Sequence, residues 1–178
     1  MDEQTSVRRF EALMLPHMHA AYNVARWLAR NDQDAQDIVQ EAYVRAFRFI
    51  GRFDGDDARA WLLRIVRNVF CTWYRQNRRR TAGSLSLDDE DAALEPSDEG
   101  ESSPEALMMR DQDRRQVVQA LDSLSVEHRE VIVLREIEGL SYKEIASIVG
   151  VPIGTVMSRL GRGRRQLAAI LTGLGQEA

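Results

Sequence analysis

Cysteine is almost missing from this 178-residue chain. Cys71 stands alone, which excludes an internal disulfide and a cysteine-based zinc site. Lysine is as scarce: Lys143 is the single lysine among 24 basic residues. Arginine forks grip phosphates and base edges bidentately, so the bias suits nucleic acid, although codon composition would produce it equally. No apolar run approaches the ~18–20 residues that span a membrane, so no membrane insertion is expected. The first ten residues, MDEQTSVRRF, lack the basic-then-apolar pattern of a signal peptide, which makes the cytoplasm the expected compartment. His17 and His19 lie on different sides of a helix with no third ligand in view, so no metal is expected. No P-loop, Ser/His/Asp set or paired-carboxylate pattern stands out, and neither a catalytic residue nor a cofactor is expected.

What is present is a patterned charge. The formal net charge is −4. Residues 1–80 carry 14 basic and 10 acidic side chains, residues 81–113 carry 1 and 11, and residues 114–178 carry 9 and 7. Two mildly basic ends therefore flank an acidic middle, an asymmetry associated with nucleic-acid binding or with a tail that mimics it.

Apolar periodicity predicts an all-α fold of two small helical domains, residues 1–80 and 104–178. Helices are expected at 6–14, 16–30 (with Pro16 in its first turn), 32–50 and 58–78, then at 104–122, 126–137, 141–149 and 153–172. The strongest signal is the third, where Ala35, Ile38, Val39, Ala42, Tyr43, Ala46, Phe47 and Ile50 recur at i, i+3, i+4, i+7. Asn31 or Asp32 would cap it. Residues 51–57, GRFDGDD, read as a loop. From 81 to 103 the chain turns to Ser, Gly, Asp, Glu and Pro, a composition that predicts a flexible acidic linker.

Two segments carry functional signals. Residues 58–80 hold seven arginines and no acid, beside Trp61, Phe70 and Trp73. A solvated face normally mixes signs, so this run points to phosphate. The second is LSYKEIASIVGVPIGTVMSRLGRGRRQLAAIL, residues 140–171. Ser141 and Glu144 form a capping-box pattern, Gly150 suits a left-handed helix stop, and Pro152 opens another helix. The result is a helix-turn-helix, whose second helix enters the DNA major groove by its N-terminal part and leaves arginines further along for phosphates. Gly161 and Gly163 weaken that helix by roughly 1 kcal/mol each relative to alanine. Close approach to the DNA backbone would account for them; so would simple tolerance of poor propensity. On its own the motif also permits a stand-alone regulator that binds an operator.

DAQDIVQEAYVRAF (34–47), ARAWLLRIVRNVF (58–70) and LSYKEIASIVGVPIGTVMSRLGRGRRQL (140–167), in this order and around an acidic linker, resemble the signature stretches of bacterial sigma factors. The resemblance is to the small extracytoplasmic-function, or group IV, type of the sigma-70 family. It implies a subunit that binds core RNA polymerase and directs promoter-specific initiation, in a stress or envelope response. Asp37, Gln40, Glu41 and Arg45 would meet the polymerase beta-prime clamp helices, and the second domain would meet the beta flap. The loop 52–59 would capture a base flipped from the minus-ten element. Arg52, Asp54, Arg59, Arg64, Arg67, Asn68 and Arg75 would contact DNA there. Thr155, Met157, Ser158, Arg159, Arg162 and Arg165 would read or grip the minus-thirty-five element, with Gly161 aligned among them. An anti-sigma factor is the further partner implied, along with domains that move freely in the unbound chain. The acidic stretch 88–101 would hold a place in the channel that later takes RNA.

Overall fold

The computed structural model describes residues 3–83 and 104–176, and all regular structure among them is helical. The first domain contains α1 (Glu3–Met14), α2 (Met18–Ala29), α3 (Asp32–Phe49) and α4 (Ala58–Gly83). The second contains α5 (Pro104–Asp122), α6 (Val126–Ile132), α7 (Tyr142–Val149) and α8 (Ile153–Gln176). Pro16 does not open α2 as expected. It occupies a short 3-10 turn, Leu15–His17, that breaks α1 from α2. Residues 81–83 continue α4, and the rest of the expected acidic linker lies outside the described residues.

Local chemistry explains each boundary that positions a functional segment. The Asn31 side chain accepts from the Asp34 N–H at 3.0 Å and starts α3. Asp57 does the same for α4: its side chain accepts from the Ala60 N–H at 2.9 Å. In the second domain the capping box is complete. Ser141 accepts from the Glu144 N–H at 3.2 Å, and Glu144 accepts from the Ser141 N–H at 2.6 Å. Those bonds favour the ionised carboxylate and hold Glu144 below its ordinary pKa. Gly150 ends α7 with φ at 77°, a conformation that a side chain would strain. The Pro152 carbonyl then accepts from Thr155 and Val156 at 3.0 and 3.2 Å, setting the first turn of α8. The helix-turn-helix is thus fixed at both ends of its turn by bonds legible in the sequence.

The first core is built from α2, α3 and α4. Val24, Leu28, Ile38, Leu62, Leu63, Val66 and Phe70 are almost fully enclosed, and Ala35, Ala42 and Ala46 form the inner stripe of α3. Tyr43 donates to the Met14 carbonyl at 2.9 Å, and its burial pushes the phenol up to about 12. The second core joins Val131, Ile132 and Leu134 to Ile145, Ile148, Val156 and Leu160. Gly139, in the left-handed region at φ 68°, reverses the chain before α7.

The sequence left the relative placement of the domains open. In the structure they pack together, with α4 against α7 and α2 against α6. Charged side chains dominate the bonds that cross. Arg67 Nε donates to Glu130 Oε1 at 2.6 Å. Arg59 donates to the Glu138 carboxylate at 2.7 Å and to the Glu138 carbonyl at 2.8 Å. Asn23 donates to the same carboxylate at 2.7 Å, and Arg30 pairs with Asp122 at 3.1 Å. Buried Arg129 reaches the Leu28 carbonyl at 3.4 Å. Burial pushes the Glu130 carboxyl above its ordinary range, and the Arg67 hydrogen bond opposes it.

Candidate nucleic-acid interface

Three surfaces carry the predicted side chains. On α3, Asp37, Gln40 and Glu41 are exposed, while Arg45 is half-buried and donates to Glu41 Oε1 at 2.7 Å. Helical spacing places Val44 in the middle of this polar stripe, where it is 46% exposed. Phe47 and Phe49, nearby on the same helix, are also exposed. The sequence reading assigned Phe47 to the core. Its ring does meet Phe10 edge-on at 5.3 Å, but the outer side faces water. Val44 was missed because counting polar residues hides an apolar one among them. The face is therefore polar with an exposed apolar residue within it.

The second surface begins at an open cleft of about 350 Å³ lined by Arg52, Phe53, Asp54, Asp56, Trp61 and Arg64, among others. Phe53 is buried, its ring 5.0 Å from that of Trp61, and Arg9 donates to the Phe53 carbonyl from α1. The floor of the cleft is thus tied down while its rim carries charge. Arg52 stays exposed over the Phe49 ring at 5.3 Å. Arg64, Asn68 and Arg75 lead away from the cleft along one exposed stripe of α4. An amide flanked by guanidiniums can grip a strand by its phosphates while testing a base edge. Arg59 and Arg67 do not share that stripe. They are the two that bind Glu138 and Glu130. Phe70 is fully buried, and Trp73 and Tyr74 pack on the core, which leaves Trp61 and the buried Phe53 beneath it as the aromatic residues of the cleft.

The third surface is the outer side of α8. Met157 is 54% exposed, and Ser158, Arg162 and Arg165 are exposed around it. Ile153, four residues before Met157, is 45% exposed and was not among the expected readers. Thr155 is half-buried. Arg159 turns toward Glu127 at 3.5 Å, with only a fifth of its side chain in solvent. Arg165 donates to the Gly161 carbonyl at 3.1 Å, so its stem lies along its own helix.

The two glycines of α8 separate cleanly. A Cβ on Gly163 would stand 3.1 Å from Ile132 Cγ1 and 3.5 Å from His128 Cβ, so Gly163 serves the packing of α8 on α6 and not an approach to DNA. Gly161 has nothing within 4 Å of its Cβ position. Gly163→Ala should therefore destabilise the chain by about 1 kcal/mol or more, because Ile132 is held in the core and overpacking outweighs the helix propensity gained. Gly161→Ala should stabilise it by roughly 1 kcal/mol. Urea denaturation of both variants checks the opposed signs.

Comparison with known proteins places these surfaces on two family regions. Residues 13–80 match the Sigma-70 region 2 model, and residues 114–167 match Sigma-70, region 4. The chain is 36% identical to the ECF RNA polymerase sigma factor SigE of Mycolicibacterium smegmatis, over 93% of this chain and 62% of that protein's length. It is 36% identical to the RNA polymerase sigma-H factor of Pseudomonas aeruginosa, over 96% of this chain and 90% of the relative. The ECF RNA polymerase sigma-E factor of Escherichia coli is also 36% identical, over 90% and 85%. Among solved structures, the sigma factor RpoE in complex with the anti-sigma factor NepR from Bartonella quintana superposes with a TM-score of 0.78 at 30% identity, covering 92% of this chain and 96% of that one. CnrH in complex with the cytosolic domain of CnrY gives 0.64 at 29% identity, covering 92% and 88%.

Proposed function

The chain belongs to the extracytoplasmic-function sigma factors of the sigma-70 family, and on that premise we propose how its surfaces divide the work of promoter-specific initiation. It binds core RNA polymerase through α3, with Asp37, Gln40, Glu41 and Arg45 around Val44 as the contact, and through the second domain at the beta flap. The minus-ten element is opened and read by the cleft and the Arg64–Asn68–Arg75 stripe, with Arg59 and Arg67 as further DNA ligands. The minus-thirty-five element is read by α8. The observation that carries this reading is the pairing, in one chain, of an arginine-lined cleft on region 2 with a helix-turn-helix on region 4. A stand-alone operator-binding regulator would need only the second. No hydrolysis is involved: unstacking a base costs a few kcal/mol, and its capture in a shaped pocket offsets that. The cytoplasm, where the polymerase works, is the expected site of action. An anti-sigma factor is the expected regulator, since both superposed relatives at or near 30% identity were solved with a bound partner, the first named as an anti-sigma factor.

Run-off transcription tests the reading. Core polymerase should produce a discrete transcript from a selected promoter with this chain and none without it. An unchanged transcript pattern would overturn it.

The division of labour within α8 is testable by DNA binding. Arg162, exposed beside Met157, should read a base: Arg162→Ala is expected to lose ~1–3 kcal/mol and relax preference at one position. Arg165, lying along the helix, should meet a phosphate. Arg165→Ala should weaken all sequences alike and reduce the salt slope by ~0.9 log unit per log unit. Binding titrations against single-base variants of the minus-thirty-five element separate the two outcomes.

A further inference from the structure

The arginine-rich α4 has no acid of its own between residues 58 and 80, yet two of its arginines are neutralised. Both partners come from the other domain. Glu130 lies 63 positions from Arg67 in sequence, and Glu138 lies 79 from Arg59. Their carboxylates are almost fully enclosed, with side chains 3% and 7% exposed. A buried carboxylate is strongly unfavourable unless paired, so these two depend on the guanidiniums they meet. The bond lengths of 2.6 and 2.7 Å, from guanidinium N–H to anionic oxygen, are close to those that the same groups make to a phosphate. Ser147 on α7 completes the lining of the cleft on region 2, so the second domain also stands at the edge of the proposed base pocket. The recognition surface of α8, by contrast, remains open, with Met157, Ser158 and Arg162 in solvent.

We propose that the second domain is an intramolecular ligand of the promoter-binding face of the first: in the free chain, Glu130 and Glu138 occupy on Arg67 and Arg59 the positions that promoter phosphates take in the open complex. This rests on the reading of Arg59 and Arg67 as DNA ligands. The carboxylates take up the donors of Arg59 and Arg67 and cover the face that DNA would approach, so closure and minus-ten binding compete. The closed chain can present α8 but not a complete minus-ten surface. Opening exposes two arginines and two carboxylates together. Polymerase, by holding the domains apart, would then create the second half of the promoter site only on the enzyme. The apparent affinity of the free chain for single strands is reduced by the fraction that is open.

The test compares the parent with Glu130→Gln/Glu138→Gln, which preserves shape and removes both charges. Glu136→Gln serves as control, since Glu136 pairs with Arg164 inside the second domain. Binding of fluorescein-labelled, mixed-sequence single-stranded DNA is measured by anisotropy at low salt, and the radius of gyration by small-angle X-ray scattering. The double variant should bind about tenfold more tightly, as expected when an open fraction near one tenth rises to nearly one, and its radius should increase. The control should match the parent in both. Thermal unfolding of each variant identifies loss of fold. Equal affinity and equal radius in parent and folded double variant would overturn the proposal. Holoenzymes assembled from parent and double variant should initiate equally on a promoter selected from a random library. If neither initiates, the proposed function fails; if both initiate while the free chains bind DNA alike, only the intramolecular contact fails.

Discussion

Asp37→Arg combined with Glu41→Arg is expected to lower affinity for core polymerase by roughly two orders of magnitude. The stripe on α3 presents two carboxylates, Asp37 and Glu41, in the two turns before Val44, and a partner complementary to it must be positive there. The double change turns two negative charges into two positive ones. Like-charge contact across an interface costs several kcal/mol, and ~2.7 kcal/mol is a factor of about one hundred. The fold should barely register the change, because both side chains are exposed. The intramolecular losses are the Glu41–Arg45 ion pair, an i,i+4 pair worth ~0.3–0.5 kcal/mol, and an exposed 3.5 Å hydrogen bond from Gln33 to Asp37. The checks are a pull-down titration with core polymerase and a circular dichroism melt. Unchanged affinity would remove α3 from the polymerase interface. Val44→Ala, which leaves all charge in place, should give a smaller loss with little salt dependence, since only apolar contact is removed.

Asn68→Ala should reduce open-complex formation on duplex promoters by about tenfold to a hundredfold, with a much smaller loss on a template already unpaired at the minus-ten element. Asn68 is exposed on α4 between Arg64 and Arg75, one turn beyond the cleft. Its amide can donate to and accept from a base edge at once, and its removal leaves a captured base with unmet polar groups, worth ~1–3 kcal/mol. On duplex DNA that energy is needed to offset unstacking. On a pre-melted template it is not. Arg64→Ala should behave differently, weakening both templates in proportion, because a phosphate contact does not distinguish them. Permanganate reactivity of thymines in the bubble reads the opening directly. Equal losses on the two templates would place the action of Asn68 in folding or in core binding.

Much of this was legible from residue pattern alone. Among the described residues the α-helices fall close to where periodicity put them, except that the helix expected at 126–137 changes from α to π over Val133–Ile137. The capping box at Ser141 and the left-handed Gly150 were readable because each depends on a few neighbouring residues. The exposure of Met157, Ser158 and Arg162 follows from the same spacing that buries Val156 and Leu160. What local pattern could not reveal was anything set by long-range packing. Gly163 reads the same as Gly161 in sequence, and only the closeness of Ile132 on α6 tells them apart. The exposure of Val44 and Ile153 is set by which neighbouring helices leave them uncovered, which spacing along one helix does not show. Arg59 and Arg67 read as free members of a basic run. Their carboxylate partners lie 79 and 63 positions away, beyond the reach of any local rule. Arg159 met the same fate with Glu127. The family resemblance supplied roles for these residues, and the packing then showed which of them are already engaged.

The most direct test of the central claim, that this chain confers promoter recognition and opening on a polymerase that lacks both, is permanganate footprinting of a selected promoter under three conditions. With core polymerase alone and with this chain alone, thymines around the minus-ten element should stay stacked and unreactive. With both together, a cluster of reactive thymines should appear just upstream of the start site, and Asn68→Ala should diminish it. Protection of a duplex operator by the chain alone, with no reactive thymines when polymerase is added, would contradict the account and point to a stand-alone regulator.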